Sequence, residues 1–435
     1  MSTPRSVTLL ALVLTVALFG VVVAMPGAFE RSDASSGGEG IQWRKRLPSA
    51  LLDGAYVGGV VVLRREGGIV EAFTADRAGR RLWAREADWF GVAGYDEDAV
   101  VVVDKVDGSG FDVLDPASGS VRWTEPDADV VGTYWDSIVS VQCPRMEDAT
   151  DRCDLTRRRR PEQPGAAWVE SWRTPIPPPI GPPLAPRPFS TGSLNPLGWQ
   201  SLTKEPQAEP RFLAIETTAA VSLVDVATGR LVRDVGVPEA TRVVAAEDRL
   251  LYTAVAWRDG RCGYDVWAQE VARPRETWRK SDELDLGTAE PQWGCRDPDT
   301  VFGGYGIIRS RWQGRELLLS ATDGSTMWLG DPHDELLATD GRVVLAVDSA
   351  DRRKIKTVDV PRRQIWENRL PGEPRMAALE PNAAVIGGDD WLQIRIPGSV
   401  WDFEGSYSPV FVSMSGSLLS EPDDYVTFVR TSTAP

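Results

Sequence analysis

A short turn motif recurs along this chain and constrains its fold more than any other feature. Its four clear copies are residues 75–83, 114–123, 224–233 and 321–328, which end at Trp83, Trp123, Arg233 and Trp328. In each copy an Asp opens the turn and a Gly stands four residues before the final position. Asp hydrogen-bonds the backbone two residues on, and Gly adopts positive φ with little strain. Each copy therefore predicts a β-hairpin whose returning strand carries the Trp or Arg.

A second kind of hairpin precedes the first. Two apolar strands flank an acidic turn in residues 92–102, 244–252, 336–345 and 377–386. Two hairpins in series make a four-stranded antiparallel meander, which is one blade of a β-propeller. A fifth copy of the turn motif, without its Gly, ends at Trp366. The positions equivalent to the motif's Trp recur at intervals that fit a blade of about 40 residues with occasional loop insertions. They are Trp43, Trp83, Trp123, Trp172, Arg233, Trp278, Trp328 and Trp366.

The D-x-x-x-G-x-x-x-W unit resembles the repeat of the PQQ-like (quinoprotein-dehydrogenase-like) β-propeller family, over roughly residues 42 to 397. The resemblance implies an all-β propeller of eight blades, with seven as the alternative. We expect the propeller to occupy residues 42–400 and a C-terminal tail, residues 401–435, to pack on it. In that family the Trp side chains pack between blades. The resemblance therefore implies a blade-packing role for Trp83, Trp123, Trp328 and Trp366.

The first predicted strand, Gln42 to Leu47, has no partner strand before it in the chain. An unpaired sheet edge promotes aggregation. We therefore expect this strand to close the ring as the outer strand of the last blade, beside residues 385–396.

The stretch from Val7 to Met25 (residues 7–25) contains no charged residue and follows Arg5. At about 1.5 Å per residue it is long enough to span the ~30 Å hydrocarbon core of a bilayer. We therefore predict a cytoplasmic stub and transmembrane signal-anchor in residues 1–25, and a flexible Ser- and Gly-rich linker in residues 26–41. Arg5 on the short side predicts a single-pass protein of the cell membrane with its N-terminus inside and the propeller outside. Small residues at 22–24 leave cleavage and secretion as the alternative.

The four cysteines are Cys143, Cys153, Cys262 and Cys295. Disulfides form in extracytoplasmic proteins, and an even number of cysteines agrees with such a location. Of the three pairings, we predict Cys143–Cys153 and Cys262–Cys295, because each joins neighbours along the chain. The spacings do not match the Cys-x-x-Cys pattern of a zinc site.

Composition disfavours several functions. The only histidine is His333, in an acidic turn sequence, and the net charge is −15. Catalytic triads and most transition-metal sites use histidine, and nucleic acid selects basic surfaces. The sequence therefore indicates no catalytic residue, no cofactor, no metal and no nucleic-acid partner. We predict a non-enzymatic binding or scaffolding module of the bacterial cell envelope, whose partner is an envelope protein or a cell-wall component.

An enzyme is the alternative, either a hydrolase or lyase that uses paired carboxylates or a PQQ-dependent dehydrogenase. The enzymes of the family that the repeat resembles carry a calcium ion, a catalytic Asp and two adjacent cysteines. This chain has no adjacent cysteines, and its acidic cluster at 96–98 is predicted to be a solvated turn.

Four consecutive arginines, residues 157–160, follow Cys153. Such a basic cluster either docks an anionic headgroup or cell-wall polymer near the membrane, or forms a solvated loop tip. The second interpretation is the one we favour.

Overall fold

Short antiparallel strands make up almost all of the described chain. The computed structural model describes residues 35–36, 40–108, 110–144, 152–163, 166–177, 187–188, 209, 211–216, 220–236, 241–246, 248–258, 261–273, 275–281, 302–303, 307–380, 383–396, 399–412 and 416–430. Within these segments the only helical pieces are two 3-10 turns, Asp96–Asp98 and Pro422–Asp424. None of the described helical pieces is long and apolar enough to cross a membrane. The predicted anchor, residues 7–25, lies outside the described residues.

The strands form nine antiparallel sheets, each of which is one propeller blade. Two strands precede the first complete blade: β1 (Ser35–Ser36) and β2 (Ile41–Arg46). The first three blades contain β3 (Leu51–Val57), β4 (Val60–Arg65), β5 (Ile69–Thr74) and β6 (Arg81–Glu86); β7 (Phe90–Ala93), β8 (Val100–Asp104), β9 (Gly110–Leu114) and β10 (Val121–Pro126); β11 (Val130–Thr133), β12 (Ser137–Gln142), β13 (Cys153–Arg159) and β14 (Val169–Ile176).

The next three blades follow the same order from inner to outer strand. They contain β15 (Arg187–Pro188), β16 (Phe212–Glu216), β17 (Val221–Asp225) and β18 (Leu231–Val235); β19 (Thr241–Ala246), β20 (Arg249–Arg258), β21 (Arg261–Glu270) and β22 (Glu276–Ser281); β23 (Phe302–Gly303), β24 (Ile307–Trp312), β25 (Arg315–Ser320) and β26 (Thr326–Leu329).

The last three blades end with the sheet that closes the ring. They contain β27 (Asp334–Thr339), β28 (Val343–Asp348), β29 (Lys354–Asp359) and β30 (Gln364–Arg369); β31 (Met376–Glu380), β32 (Ala383–Gly387), β33 (Trp391–Ile396) and β34 (Ser399–Glu404); β35 (Ser408–Val412), β36 (Ser417–Glu421) and β37 (Tyr425–Val429), to which β2 adds the fourth strand. β1 lies parallel to β34, with Ser35 opposite Trp401.

The hydrophobic core lies between neighbouring blades. The described residues form nine apolar clusters, and each one joins two consecutive blades around the ring. The middle strands are buried on both faces, so residues 60–63 of β4 and 100–103 of β8 are continuous apolar runs. The outer strands alternate between half-buried and exposed residues, as in β6 and β30. The stacking of blades therefore explains both the continuous apolar runs of the middle strands and the alternation in the outer strands.

The predicted count of eight blades, with seven as the alternative, was wrong, because the described residues form nine. The ninth blade consists of β35, β36 and β37 together with β2, and its first three strands lie in the region predicted to be a C-terminal tail. In eight of the nine outer strands, the Trp or Arg of the repeat is the third residue, and Trp401 holds that place in β34. Trp401 was missed because the sequence before it lacks the Asp…Gly turn.

Ring closure uses the predicted strand but a different partner. β2 pairs with β37, with Trp43 opposite Phe428, and not with residues 385–396. A bidentate ion pair between Arg44 and Glu421, at 2.6 Å, joins the two ends of the chain beside this pairing. The closing strand covers the edge that β37 would otherwise expose.

Candidate functional site: a groove between the second and third blades

Four of the nine joints between blades share a contact that the repeated motif creates. The indole of Trp83, on the outer strand of the first blade, lies against Gly119 in the last turn of the second blade. Its Nε1–H donates to the carbonyl oxygen of Pro116 in the same turn, at 2.7 Å. A Cβ on Gly119 would lie 2.6 Å from Trp83 Cγ, and Gly119 has φ +66°. The motif therefore needs Gly both for its backbone conformation and for the space that the indole occupies.

Three other joints have the same geometry. In each, an outer-strand Trp lies against the motif Gly of the next blade and donates its indole N–H to a carbonyl of that turn, at 2.8 to 3.0 Å. The Trp and Gly residues are Trp43 with Gly79, Trp172 with Gly229, and Trp278 with Gly324. We call this contact the Trp–Gly clasp.

Arg233 stands where a Trp would stand, and the blade that follows has no Gly in its turn of residues 271–275. Its guanidinium group reaches across to that blade and donates to the carbonyl oxygen of Glu270 at 3.5 Å and to Gln269 Oε1 at 3.4 Å. The cation thus replaces the indole donor where the next turn lacks the Gly.

Trp123 departs from the pattern in a different way. In the third blade a longer connection stands in place of the corresponding turn between β13 and β14, and its described residues are 160–163 and 166–168. Trp123 Nε1 turns back to its own strand and donates to Glu125 Oε1 at 2.9 Å. Its ring packs at 6.0 Å, centroid to centroid, against Trp168 of the longer connection. Trp168 is 7% exposed and donates its indole N–H to the carbonyl oxygen of Asp98 at 3.3 Å.

This altered joint leaves a groove of about 510 Å³ between the second and third blades. β10 supplies one wall, β13 contributes one side chain, and the longer connection supplies the other wall. The lining residues are Arg122, Trp123, Thr124, Arg158, Ala166, Ala167 and Trp168. Ala166 and Ala167 are exposed, and their small side chains leave the space open.

Carboxylates hold both arginines of the groove in position. Arg158 Nε donates to Glu125 Oε1, the same oxygen that accepts from Trp123. Arg122 Nη2 lies 2.7 Å from Asp115 Oδ2. Burial raises the pKa of Asp115, but hydrogen bonds from Arg122 and Ser118 outweigh it and hold the pKa below its usual value. Both guanidinium groups are therefore paired and fixed at the groove.

Exposed aromatic residues continue this surface at the same end of the two blades. Tyr95 is 46% exposed and Trp135 is 45% exposed. The guanidinium group of Arg160 lies 3.8 Å from the ring centroid of Tyr95 and forms ion pairs with Asp98 at 3.3 Å and Asp136 at 3.7 Å. Such stacking on a partly exposed ring contributes about 0.5–2 kcal/mol. The stacking holds the Arg160 guanidinium and the Tyr95 ring together next to the groove.

The four consecutive arginines do not form a solvated loop tip, which corrects the interpretation that we favoured. Arg157, Arg158 and Arg159 lie on β13, and Arg160 follows directly. Side chains on a strand point alternately to opposite faces, so the run does not form one basic patch. Each arginine is paired with at least one carboxylate. Arg157 is the most buried, with a bidentate pair to Glu209 at 2.6 Å.

The predicted disulfide Cys143–Cys153 is confirmed, with an S–S distance of 2.02 Å. It spans the connection between β12 and β13 of the third blade. Cys262 lies in the backbone of β21 but its side chain, like all of Cys295, lies outside the described residues. The pairing Cys262–Cys295 therefore stays a prediction.

The four Trp residues expected to pack between blades lie on the outer strands β6, β10, β26 and β30, and all four are half-buried. Trp83, Trp123 and Trp328 belong to apolar clusters that join their blade to the next one. Trp366 is the third residue of β30. Part of each indole faces solvent, because an outer strand is covered on only one side.

Other candidate residues occupy ordinary positions. His333 is exposed in the turn before β27. Within the described segments no three His, Cys, Asp or Glu residues lie together as potential metal ligands. The sequence did not point to Trp168, Ala166 or Ala167, although the missing Asp…Gly turn after β13 was a detectable signal.

Comparisons with known proteins assign no family. No protein-family model and no curated protein matches the chain. Among solved structures, it is similar to BamB from Moraxella catarrhalis, with 14% identity, a TM-score of 0.37 and coverage of 89% of this chain and 98% of that one. It is also similar to the computationally designed Ika8 protein, with 13% identity, a TM-score of 0.39 and coverage of 89% and 98%.

A third similar structure is that of the dihydro-heme d1 dehydrogenase NirN, with 12% identity, a TM-score of 0.35 and coverage of 86% of both chains. Similarities at this level carry no argument about function. The β-propeller fold is established by the strand order of the chain itself, and the resemblance of its repeat to the PQQ-like family stays a prediction.

Proposed function

We propose that this chain is a non-catalytic binding module that holds a partner in the groove between its second and third blades. The observation that carries the proposal is the broken repeat at Trp123. Four other joints are closed by a Trp–Gly clasp, whereas here a longer connection replaces the Gly turn and opens a groove. Departures from a repeated contact tend to lie at functional sites, and among the joints without the clasp this is the one where a longer connection lines a groove.

The chemistry of this surface supports binding. Trp, Tyr and Arg are the residues that most often dominate the energy of protein interfaces. All three types occur here, with Tyr95 and Trp135 exposed beside the groove. The residues that line the groove include no carboxylate, histidine or cysteine, and its one hydroxyl, on Thr124, donates to Asp112 at 2.9 Å. This set of side chains favours recognition over acid–base or nucleophilic chemistry.

We further propose that the module works outside the cytoplasm, tethered by the apolar stretch at residues 7–25, with an envelope protein as its partner. A cell-wall component is the alternative partner. The length of the apolar stretch and the Cys143–Cys153 disulfide support this location. Proteolysis of spheroplasts tests it, because an external propeller is digested without lysis and a cytoplasmic one is protected.

Site-specific photocrosslinking in intact cells tests the binding surface. A photoreactive amino acid at Ala167, in the groove, should yield one discrete crosslinked partner. The matched control is Ile365, an exposed apolar residue of β30 on the seventh blade, 61% exposed. Equal crosslinking from both positions, or none from Ala167, would contradict the proposal.

A further inference from the structure

We propose that the groove between the second and third blades receives a proline-rich peptide segment of its partner in the polyproline II conformation. This inference rests on the proposed function and adds the chemistry of the bound segment. It follows from which hydrogen-bonding groups the groove still offers.

The two indoles offer the groove only apolar surface. Trp123 donates its N–H to Glu125 at 2.9 Å, and Trp168 donates its N–H to the carbonyl oxygen of Asp98 at 3.3 Å. Neither ring therefore keeps a free donor for a ligand. Together with Ala166 and Ala167 they form the apolar part of the lining of the groove.

The two arginines offer unused donors. Arg158 donates to Glu125 through Nε, and its two terminal nitrogens donate to no residue in the described part of the chain. Arg122 donates through Nη2 to Asp115 and to the carbonyl oxygen of Glu97, and its Nη1 and Nε have no partner among the described residues. The hydroxyl proton of Thr124 is already donated to Asp112. The groove is thus lined both by arginines that keep unused donors and by apolar side chains.

A proline-rich segment matches this arrangement. Proline has no backbone N–H, so a run of prolines presents carbonyl acceptors and apolar rings. In the polyproline II conformation the backbone is already extended and loses little entropy on binding, and aromatic-lined grooves recognise it for this reason. An oligosaccharide fits less well, because each of its hydroxyl groups needs an acceptor as well as a donor.

Fluorescence anisotropy with the purified full-length chain in detergent tests the inference. The probe is a fluorescein-labelled decaproline peptide, and a labelled Gly-Ser peptide of equal length is the control ligand. The variant Ala167→Gln fills the groove without touching a buried contact, since Ala167 is exposed. The matched control is Ala350→Gln, at an exposed position in the turn between β28 and β29.

We expect the decaproline probe to bind the wild-type chain and the Ala350→Gln variant equally, and Ala167→Gln to weaken the binding at least tenfold. Arg122→Gln removes the guanidinium donors but leaves the apolar lining of the groove, so it should weaken decaproline binding about threefold to tenfold. Absence of decaproline binding, or binding that Ala167→Gln leaves unchanged, overturns the inference. Binding of a chitohexaose probe that Ala167→Gln abolishes, without decaproline binding, would assign the groove to a sugar. A partner crosslinked from Ala167 in cells, together with failure of the decaproline probe, leaves the proposed function standing and refutes only this inference.

Discussion

Replacing Gly119 with Ala tests the Trp–Gly clasp between the first and second blades. Gly119 has φ +66°, where a residue with a Cβ is strained by about 1 kcal/mol. The new Cβ would lie 2.6 Å from Trp83 Cγ, so the indole must move. Overpacking costs about 1–3 kcal/mol, and loss of the 2.7 Å hydrogen bond from Trp83 to Pro116 costs about 1 kcal/mol more. We therefore expect Gly119→Ala to lower the free energy of unfolding by about 3–5 kcal/mol.

Gly108→Ala is the matched control in the same blade. Gly108 has φ +68°, nearly the value of Gly119, but no atom lies within 4 Å of the position its Cβ would take. Only the backbone strain applies there, so we expect a loss of about 1 kcal/mol. The difference between the two variants, about 2–4 kcal/mol, measures the contribution of the clasp.

Urea unfolding of both variants, followed by circular dichroism, provides the assay. A double-mutant cycle isolates the contact, because in a Trp83→Ala background Gly119→Ala should cost no more than Gly108→Ala. Equal losses for the two glycine variants in the wild-type background would refute the clasp. So would a difference that persists without Trp83.

Three further predictions concern other contacts of the first three blades. Replacing Cys143 and Cys153 with Ser should lower the free energy of unfolding by about 2–3 kcal/mol, because the disulfide closes a loop between residues 10 apart. Urea unfolding under oxidising conditions measures this loss, and an unchanged midpoint would contradict it. Arg157→Ala should lower the free energy of unfolding by about 3 kcal/mol, because it leaves the partly buried carboxylate of Glu209 with a hydrogen bond from Ser137 but without its cation. Arg159→Ala, on the same strand but in an exposed pair at 3.4 Å, should change the unfolding free energy by less than about 0.5 kcal/mol. Finally, the pKa of Asp115 is lower in the folded chain than in the unfolded chain, so on acidification the unfolded chain binds a proton at this carboxylate first. The stabilisation that the ionised carboxylate provides at neutral pH is therefore lost as pH falls below about 4. The loss of Tm between pH 7 and pH 3 should be smaller in Asp115→Asn, which keeps the turn but not the charge; an identical loss would exclude Asp115 as a contributor.

The sequence predicted the blade well because blade structure is encoded locally. Asp115 accepts hydrogen bonds from the backbone N–H groups of Ala117 and Ser118, and Gly119 adopts positive φ, within one turn of five residues. Such chemistry depends only on neighbouring residues. The hairpins, the position of Trp83 on the returning strand and the four-stranded meander could therefore be inferred without any tertiary information.

The groove could be predicted only in part. The absence of an Asp…Gly turn after Arg160 is visible in the sequence, and it marks one of the joints where the clasp is missing. The partners of the residues around it are not visible, because three strands lie between Trp123 and Trp168 in the sequence, and Arg158 meets a carboxylate 33 residues away. No periodic pattern specifies which of many carboxylates will face a given arginine.

The sequence by itself determined the class of fold, the local turn that joins blades and the neighbouring pair Cys143–Cys153, since each depends on residues close along the chain. Tertiary structure alone decided the number of blades and how the ring closes. A ring of blades closes only when the angles between all neighbouring blades add up to a full turn. No single repeat determines that sum. Thus β2 finds its partner in β37, and Arg44 meets Glu421 across 377 positions of sequence. Tertiary structure also decided the environment of the four consecutive arginines. Each of them forms an ion pair with a different carboxylate, and most of these carboxylates come from distant parts of the sequence.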